Sequence, residues 1–388
     1  MISPVFHPIT GGAETHVRTL AEELAYLGHS IVVLTDRRSP HSPQREWLNG
    51  VEILRTSHYL EFINAPGHVP WEECLFGLLR DFQDLLQDRD IDIIHGHCQA
   101  TVILGAMIKD ILGCPLVATP HKTEPERDAF GEGRSRLVYT HLPYDMLIVG
   151  SQFFRDQLLR YGAKPDRIGL IYQGINLNRF TPDVSGERIR KEQNIHDDQR
   201  LILLVGRFKS RKGLLEFVHA MEQVTALKPE LRGMIAGTCN SASLDYINQV
   251  RSEIKRLDLE QKVVIKETFL WEEMPEVFAA ADLVVQPSYA EGLGLSVLEA
   301  MATAKPVIGC AVSGIQEILT HQENGLLIKP ASSEALAQAI LHLLSYPDEA
   351  ARVAERGYAH VQKHFSAKKM AQETLEVYNS VIRPGHSK

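Results

Sequence analysis

Two carboxylates, Glu291 and Glu299, stand eight residues apart in the run Pro287-Ser288-Tyr289-Ala290-Glu291-Gly292-Leu293-Gly294-Leu295-Ser296-Val297-Leu298-Glu299. The glycines place the first in a loop, and the apolar spacing beyond them predicts a helix that carries the second. Eight steps would be about 12 Å on a continuous helix. A carboxylate accepts two hydroxyls readily, so the pair suits a ligand with a hydroxyl-bearing group at each end. Amides of Gly292, Leu293, Gly294 and Leu295, at the start of that helix, would face a negatively charged middle. A nucleotide-sugar has this layout. As bare acids the two are ordinary surface glutamates; the flanking Pro-Ser and Gly-Leu-Gly-Leu set them apart.

The positive partner for such a middle is in Val205-Gly206-Arg207-Phe208-Lys209-Ser210-Arg211-Lys212-Gly213, directly after an apolar strand and before a helix with Leu214, Leu215, Phe217 and Val218. Arg207 can fork onto two phosphate oxygens and Lys212 adds a point charge. Lys209 and Arg211 read as a solvated basic loop. The glycine spacing is not that of a Walker P-loop. A second glycine loop, Thr10-Gly11-Gly12-Ala13-Glu14, precedes a helix with Val17, Leu20, Leu24 and Leu27 on one face. Gly11 and Gly12 let the backbone approach an anion closely, although the same pair serves a plain strand-to-helix turn. No G-x-G-x-x-G dinucleotide fingerprint is present.

Thr119-Pro120-His121-Lys122 follows another strand end, where a histidine is either a ligand contact or a structural residue. His95-Gly96-His97 resembles half a metal site, but strand alternation puts two such residues on one face in any case, and the sequence offers no third ligand. No metal site is expected. Asp90-Ile91-Asp92 precedes a strand, at the wrong end of a sheet for a ligand, and reads as a solvated turn.

Short apolar strands alternating with amphipathic helices position these residues, which predicts an α/β chain with parallel sheets. Residues 31–35, 91–94, 115–119 and 146–149 read as one sheet. Residues 201–205, 233–237, 262–266, 283–286, 306–309 and 326–328 read as a second. The polar, Pro- and Gly-bearing stretch 173–200 is the boundary between domains, expected at 1–175 and 176–365. The last segment, 366–388, carries Met370, Leu375, Tyr378 and Val381 at helical spacing. Met1-Ile2-Ser3-Pro4-Val5 is short for the first strand that a doubly wound domain places there.

With 388 residues the chain has room for two full cores. Up to residue 185 there are 17 Lys and Arg against 23 Asp and Glu; beyond it there are 24 against 26. Neither part is basic, which argues against a nucleic-acid surface and against strong docking to anionic lipid. Cys74, Cys98, Cys114, Cys239 and Cys310 are scattered, odd in number and never spaced as C-x-x-C, so free thiols and a reducing cytoplasm are expected. No apolar run reaches the length of a membrane span.

In this order and spacing the pieces resemble the retaining GT-B glycosyltransferases of family 4, over nearly the whole chain. Gly11-Gly12-Ala13-Glu14 resembles that family's N-terminal glycine loop, and His121 its cleft histidine. Gln173-Gly174-Ile175-Asn176 through Arg179-Phe180-Thr181-Pro182 is similar to its interdomain segment. Gly206-Arg207 with Lys212-Gly213 resembles its phosphate-binding pair, and Glu291 to Glu299 its signature of two glutamates. Ala300-Met301-Ala302, Lys305-Pro306-Val307, Ser313 to Glu317 and Asn324-Gly325-Leu326-Leu327 resemble its downstream core.

The resemblance implies two Rossmann-like domains facing across a cleft, with the C-terminal helix completing the first. It implies transfer of a hexosyl-type sugar from a UDP- or GDP-sugar to a hydroxyl acceptor, without a metal or other cofactor. Arg207, Lys212, Gly12 and the loop at Gly294 would hold the diphosphate, and Glu299 the ribose. Glu291 and His121 would serve the donor sugar at the reacting face. Front-face attack and double displacement both remain open as routes to retention. In Lys266 to Trp271 a threonine, Thr268, stands where the family commonly has glycine, in a region that usually helps hold the base. Residues 57–72 and 122–136 are expected to shape the acceptor pocket for a lipid-linked glycan, a lipopolysaccharide or a small polar molecule. Transient docking at the inner face of a membrane is compatible with this. A nucleotide-sugar epimerase or phosphorylase on the same fold, and a non-catalytic nucleotide-sugar binding protein, are the competing readings.

Overall fold

Thirteen strands and the helices between them form two units in the computed structural model of the protein, which describes residues 1–9, 11–37, 41–56, 71–86, 89–121, 137–238, 243–267 and 270–382. The first unit runs over Met1–Gly174 and takes in the helix Ala367–Val381 from the far end of the chain; the second is Ile175–Ser366.

The second unit is built on β8 (Arg200–Val205), β9 (Leu231–Gly237), β10 (Val263–Glu267), β11 (Leu283–Gln286), β12 (Val307–Cys310) and β13 (Leu326–Ile328). All pairings are parallel and the order is β10-β9-β8-β11-β12-β13. That is the doubly wound order, and its direction reverses between β8 and β11, where open sheets of this kind hold their ligands. Leu201 to Leu204 and Leu283 to Val285 are fully buried, as strands covered on both faces require. Phe217, Val218 and Met221 of the helix Leu214–Leu227 pack on one side together with Leu336 and Ile340 of the helix Ser333–Ser345.

The first unit holds β1 (Ile31–Asp36), β2 (Arg45–Leu48), β3 (Val51–Thr56), β4 (Ile94–His97), β5 (Leu116–Thr119), β6 (Met146–Val149) and β7 (Ile168–Leu170). They form a three-stranded sheet β1-β3-β2 and a four-stranded sheet β4-β5-β6-β7. The short N-terminal segment joins them. Ile2 bridges Leu34 of β1 on one side and Gly96 of β4 on the other. Its N–H donates to His95 O (2.8 Å), and its carbonyl accepts from His97 N (2.9 Å). Ser3 N donates to Leu34 O at 3.0 Å. The stub is thus the first strand of the doubly wound pattern, and the switch point of this sheet lies between it and β4.

One expectation needs correction, and one element was missed. The strand expected at 91–94 falls at Ile94–His97, because the buried strand continues through polar residues: His95 is satisfied by Thr119 Oγ1 (2.7 Å) and by Tyr378 OH (2.6 Å). The hairpin β2–β3 went unread. Its turn is Asn49-Gly50, both residues left-handed at φ 49° and 82°, the pattern of a type I′ turn. The helix Ala367–Val381 buries Met370, Ala371 and Tyr378 against Leu20, Leu24, Val117 and Ile148 of the first unit. Among the described residues, no helix is long and apolar enough to cross a membrane.

Candidate functional site

In the second unit the basic loop after β8 and the glutamate loop after β11 lie side by side at the switch point. Gly213 fixes the approach. It sits at φ +70°, and a Cβ there would be 2.1 Å from Pro287 O. Tyr289 N donates to Arg211 O (2.8 Å), and Arg211 Nη1 donates to Ala290 O (2.9 Å). Arg211 is therefore not the solvated residue that the sequence suggested: it ties the two loops together and lies 3.9 Å from Glu291 Oε2.

Glu291 is 6% exposed. Lys212 Nζ donates to its Oε1 at 2.5 Å and Ser288 Oγ at 2.8 Å, while Gln286 Nε2 stands 3.3 Å away. Ser296 Oγ donates to Gln286 Oε1 (2.7 Å) and so orients the amide that faces Glu291. Burial alone would raise the Glu291 carboxyl; the charge and hydrogen bond of Lys212, then Ser288 and Arg211, outweigh it and hold the group below its usual value. Ser313 Oγ donates to the Glu291 carbonyl (2.9 Å), which pins the loop from the other side. The sequence reading missed Gln286 and Ser288, both fully buried. A glutamine closing the apolar strand Leu283-Val284-Val285 was the available signal.

Arg207 is exposed, directly beyond the end of β8, and its guanidinium has no hydrogen bond or ion pair among the described residues. Gly292, Leu293 and Gly294 lead into the helix Leu295–Ala302, whose first amides lie outside its own hydrogen-bond ladder. Glu299 is on this helix, half-buried, and burial pushes its carboxyl up to about 8 against an opposing pull from Arg179. Arg179 lies 3.0 Å from the centre of the Trp271 ring and donates to Trp271 O (2.6 Å). Nothing in the sequence singled out Arg179 as the cation that acts on Glu299. Thr268 lies outside the described residues.

In the first unit Gly11 and Gly12 open the helix Gly12–Tyr26, with Thr15 N donating to Gly11 O (2.8 Å). His121 follows β5 beyond Thr119. His97, the last residue of β4, has Nδ1 3.2 Å from His121 Nε2, and the two rings are stacked at 5.4 Å. His16, from the helix, lies 4.9 Å from His121 and 5.8 Å from His97, ring centre to ring centre. Burial pushes His16 down to about 4 and holds His97 and His121 well below the usual imidazole range, so all three rings are neutral near pH 7. The sequence offered His95 and His97 and no third ligand; the fold sets His97 with His16 and His121 instead. The i, i+4 spacing of His16 with Leu20 and Leu24 was the signal that His16 faces inward. Lys122 and most of the stretches expected to shape the acceptor pocket, 57–70 and 122–136, lie outside the described residues.

Two family models match the chain in succession, Glycosyltransferase Family 4 over residues 10–179 and Glycosyl transferases group 1 over residues 185–360. The chain belongs to glycosyltransferase family 4. An uncharacterized glycosyltransferase of Methanocaldococcus jannaschii is 27% identical to it over 95% of this chain and 94% of its own length. A D-inositol 3-phosphate glycosyltransferase of Segniliparus rotundus is also 27% identical, over 99% of this chain and 88% of its own. Among solved structures, sucrose-phosphate synthase of Thermosynechococcus elongatus matches this family 4 glycosyltransferase with a TM-score of 0.83 at 25% identity, over 96% of this chain and 94% of that one. Anabaena HepE, solved in complex with UDP-glucose, shares the fold at a TM-score of 0.79 and 21% identity, over 98% of both chains. The two parallel α/β units of this glycosyltransferase are thus those of the GT-B fold.

Proposed function

We propose that the protein transfers a hexosyl-type sugar from a UDP- or GDP-sugar to a hydroxyl acceptor, with retention at the anomeric carbon. The observation that carries this reading is the Arg207, Lys212 and Glu291 constellation at the switch point of the second sheet. Arg207 and Lys212 are assigned to the diphosphate, with the amides from Gly292 to Leu295 and those at Gly11 and Gly12. Departure of a nucleoside diphosphate builds negative charge on its β-phosphate, and these groups stabilise that charge most in the transition state, which is what accelerates the step. Glu299 is assigned to the ribose hydroxyls, and Glu291 and His121 to the donor sugar.

The salt bridge gives the site a resting state. Without donor, Lys212 is neutralised by Glu291. An arriving diphosphate competes for Lys212, and the carboxylate oxygen it releases becomes free to accept a sugar hydroxyl. The acceptor belongs to cell-envelope glycan, lipopolysaccharide or glycolipid synthesis, in keeping with a protein that works in the cytoplasm or docks transiently on its membrane.

A thermal-shift series with UDP, GDP and ADP and their sugars tests this. A ligand at 100 times its dissociation constant stabilises by about 2.7 kcal/mol. One diphosphate is expected to raise the melting temperature, and Arg207→Ala to abolish that rise while leaving the ligand-free protein within about 0.5 kcal/mol of wild type, as for other exposed positions. No shift with any nucleotide would remove the donor assignment.

A further inference from the structure

His16, His97 and His121 gather at the switch point of the first sheet, and the transfer reaction uses only the last of them. They come from three separate elements: the helix Gly12–Tyr26, the end of β4 and the turn after β5. One ring nitrogen from each lies within 4.8 Å of the others. The contrast with His95 is informative. Both His95 nitrogens are engaged, by Tyr378 and Thr119. Both His16 nitrogens and Nε2 of His97 are buried with no hydrogen-bond partner among the described residues. A buried polar atom left without a partner is destabilising, so such atoms ask for a ligand. The 3.2 Å spacing of His97 and His121 fits a simple N–H···N hydrogen bond, but that bond does nothing for His16.

We propose that His16, His97 and His121 bind one divalent transition-metal ion of the zinc class. Tetrahedral zinc with Zn–N bonds of about 2.0–2.1 Å sets ligand nitrogens roughly 3.4 Å apart. His97 Nδ1 and His121 Nε2 already stand near that spacing, and each of the three rings offers a nitrogen within 4.8 Å of the others, a cluster that a bound ion would draw closer. Imidazole donors select zinc, copper or nickel over magnesium and calcium. Three neutral ligands leave the double positive charge unbalanced and a fourth position open. Hydroxide, or an anionic oxygen of a bound ligand, completes the set. The second nitrogen of His16 has no carboxylate or carbonyl to orient it among the described residues, so the ion is held as an exchangeable one that a chelator strips.

The test uses the full chain, stripped with chelator and titrated first with zinc against a competing chromophoric chelator, then with cobalt. One equivalent of zinc is expected to bind, cobalt is expected to give the intense visible bands of a four-coordinate site, and magnesium is expected not to compete. His16→Gln should abolish both signals with its circular dichroism unchanged. His342→Gln, a histidine of the second unit bonded to Glu349, should abolish neither. Absence of stoichiometric zinc binding to the wild type overturns the proposal, as does full retention in His16→Gln or equal loss in His342→Gln. If His16→Gln does not fold, the wild-type cobalt spectrum decides: weak six-coordinate bands overturn the assignment and intense four-coordinate bands support it.

Discussion

Lys212 Nζ lies 2.5 Å from Glu291 Oε1, so the cation assigned to the diphosphate and the carboxylate assigned to the sugar hold each other when neither is engaged. Both side chains are largely enclosed, at 12% and 7% exposure. The pair therefore contributes to the stability of the second unit as well as to its chemistry.

Removing one member strands the other. Lys212→Met should destabilise the protein by about 3 kcal/mol, the lower end of the range for breaking a buried pair, because Ser288, Gln286 and Arg211 still face the carboxylate. Adding Glu291→Gln to that variant should restore much of the loss. Urea unfolding of the two single variants and the double variant measures the coupling. Additive losses would mean that the pair is not coupled.

Glu299 gives a pH signature. Its folded carboxyl is raised by burial from 4.5 to about 8. Between those values the folded chain keeps a proton that the unfolded chain releases, so this group's contribution falls as pH rises through the window. Glu299→Gln lacks that loss. Its unfolding midpoint relative to wild type should climb from about pH 5 to about pH 8 and then level off. A difference that is flat with pH would contradict the raised carboxyl.

Gly213 is the hinge of the two loops. Gly213→Ala places a Cβ 2.1 Å from Pro287 O in a left-handed conformation, so the backbone must shift. A loss of at least about 2 kcal/mol is expected from strain alone, with the nucleotide-dependent rise in melting temperature diminished because the loops carrying Lys212 and Glu291 no longer meet as they do in the wild type. Wild-type melting behaviour in this variant would show that the close approach is unimportant.

Most of the parallel framework was legible because its strands are continuous apolar runs: Met146–Val149, Leu283–Gln286 and Leu326–Ile328 fall where the sequence places them. Apolarity was a poor guide where buried residues are polar. β4 runs through His95 and His97, whose burial depends on partners distant in sequence such as Tyr378. β2 carries Arg45, Glu46 and the exposed Trp47 at a sheet edge, so only its Asn-Gly turn marked it. At the site, the residues assigned to a ligand by charge were readable one at a time. Those that act through neighbours, Arg211, Gln286, Ser288 and Arg179, were not, because their roles arise from two loops meeting.

The seam at Ile2 has a consequence for assembly. β1 to β3 interlock through local pairings, and so do β4 to β7, so each half-sheet can organise from contacts near in sequence. At that seam Ile2 bridges residue 34 on one side and residue 96 on the other. Closing it is the slow, entropically demanding step expected of distant contacts. A substitution there that disfavours extended backbone, such as Ile2→Gly, would leave two half-sheets that form early and dock late.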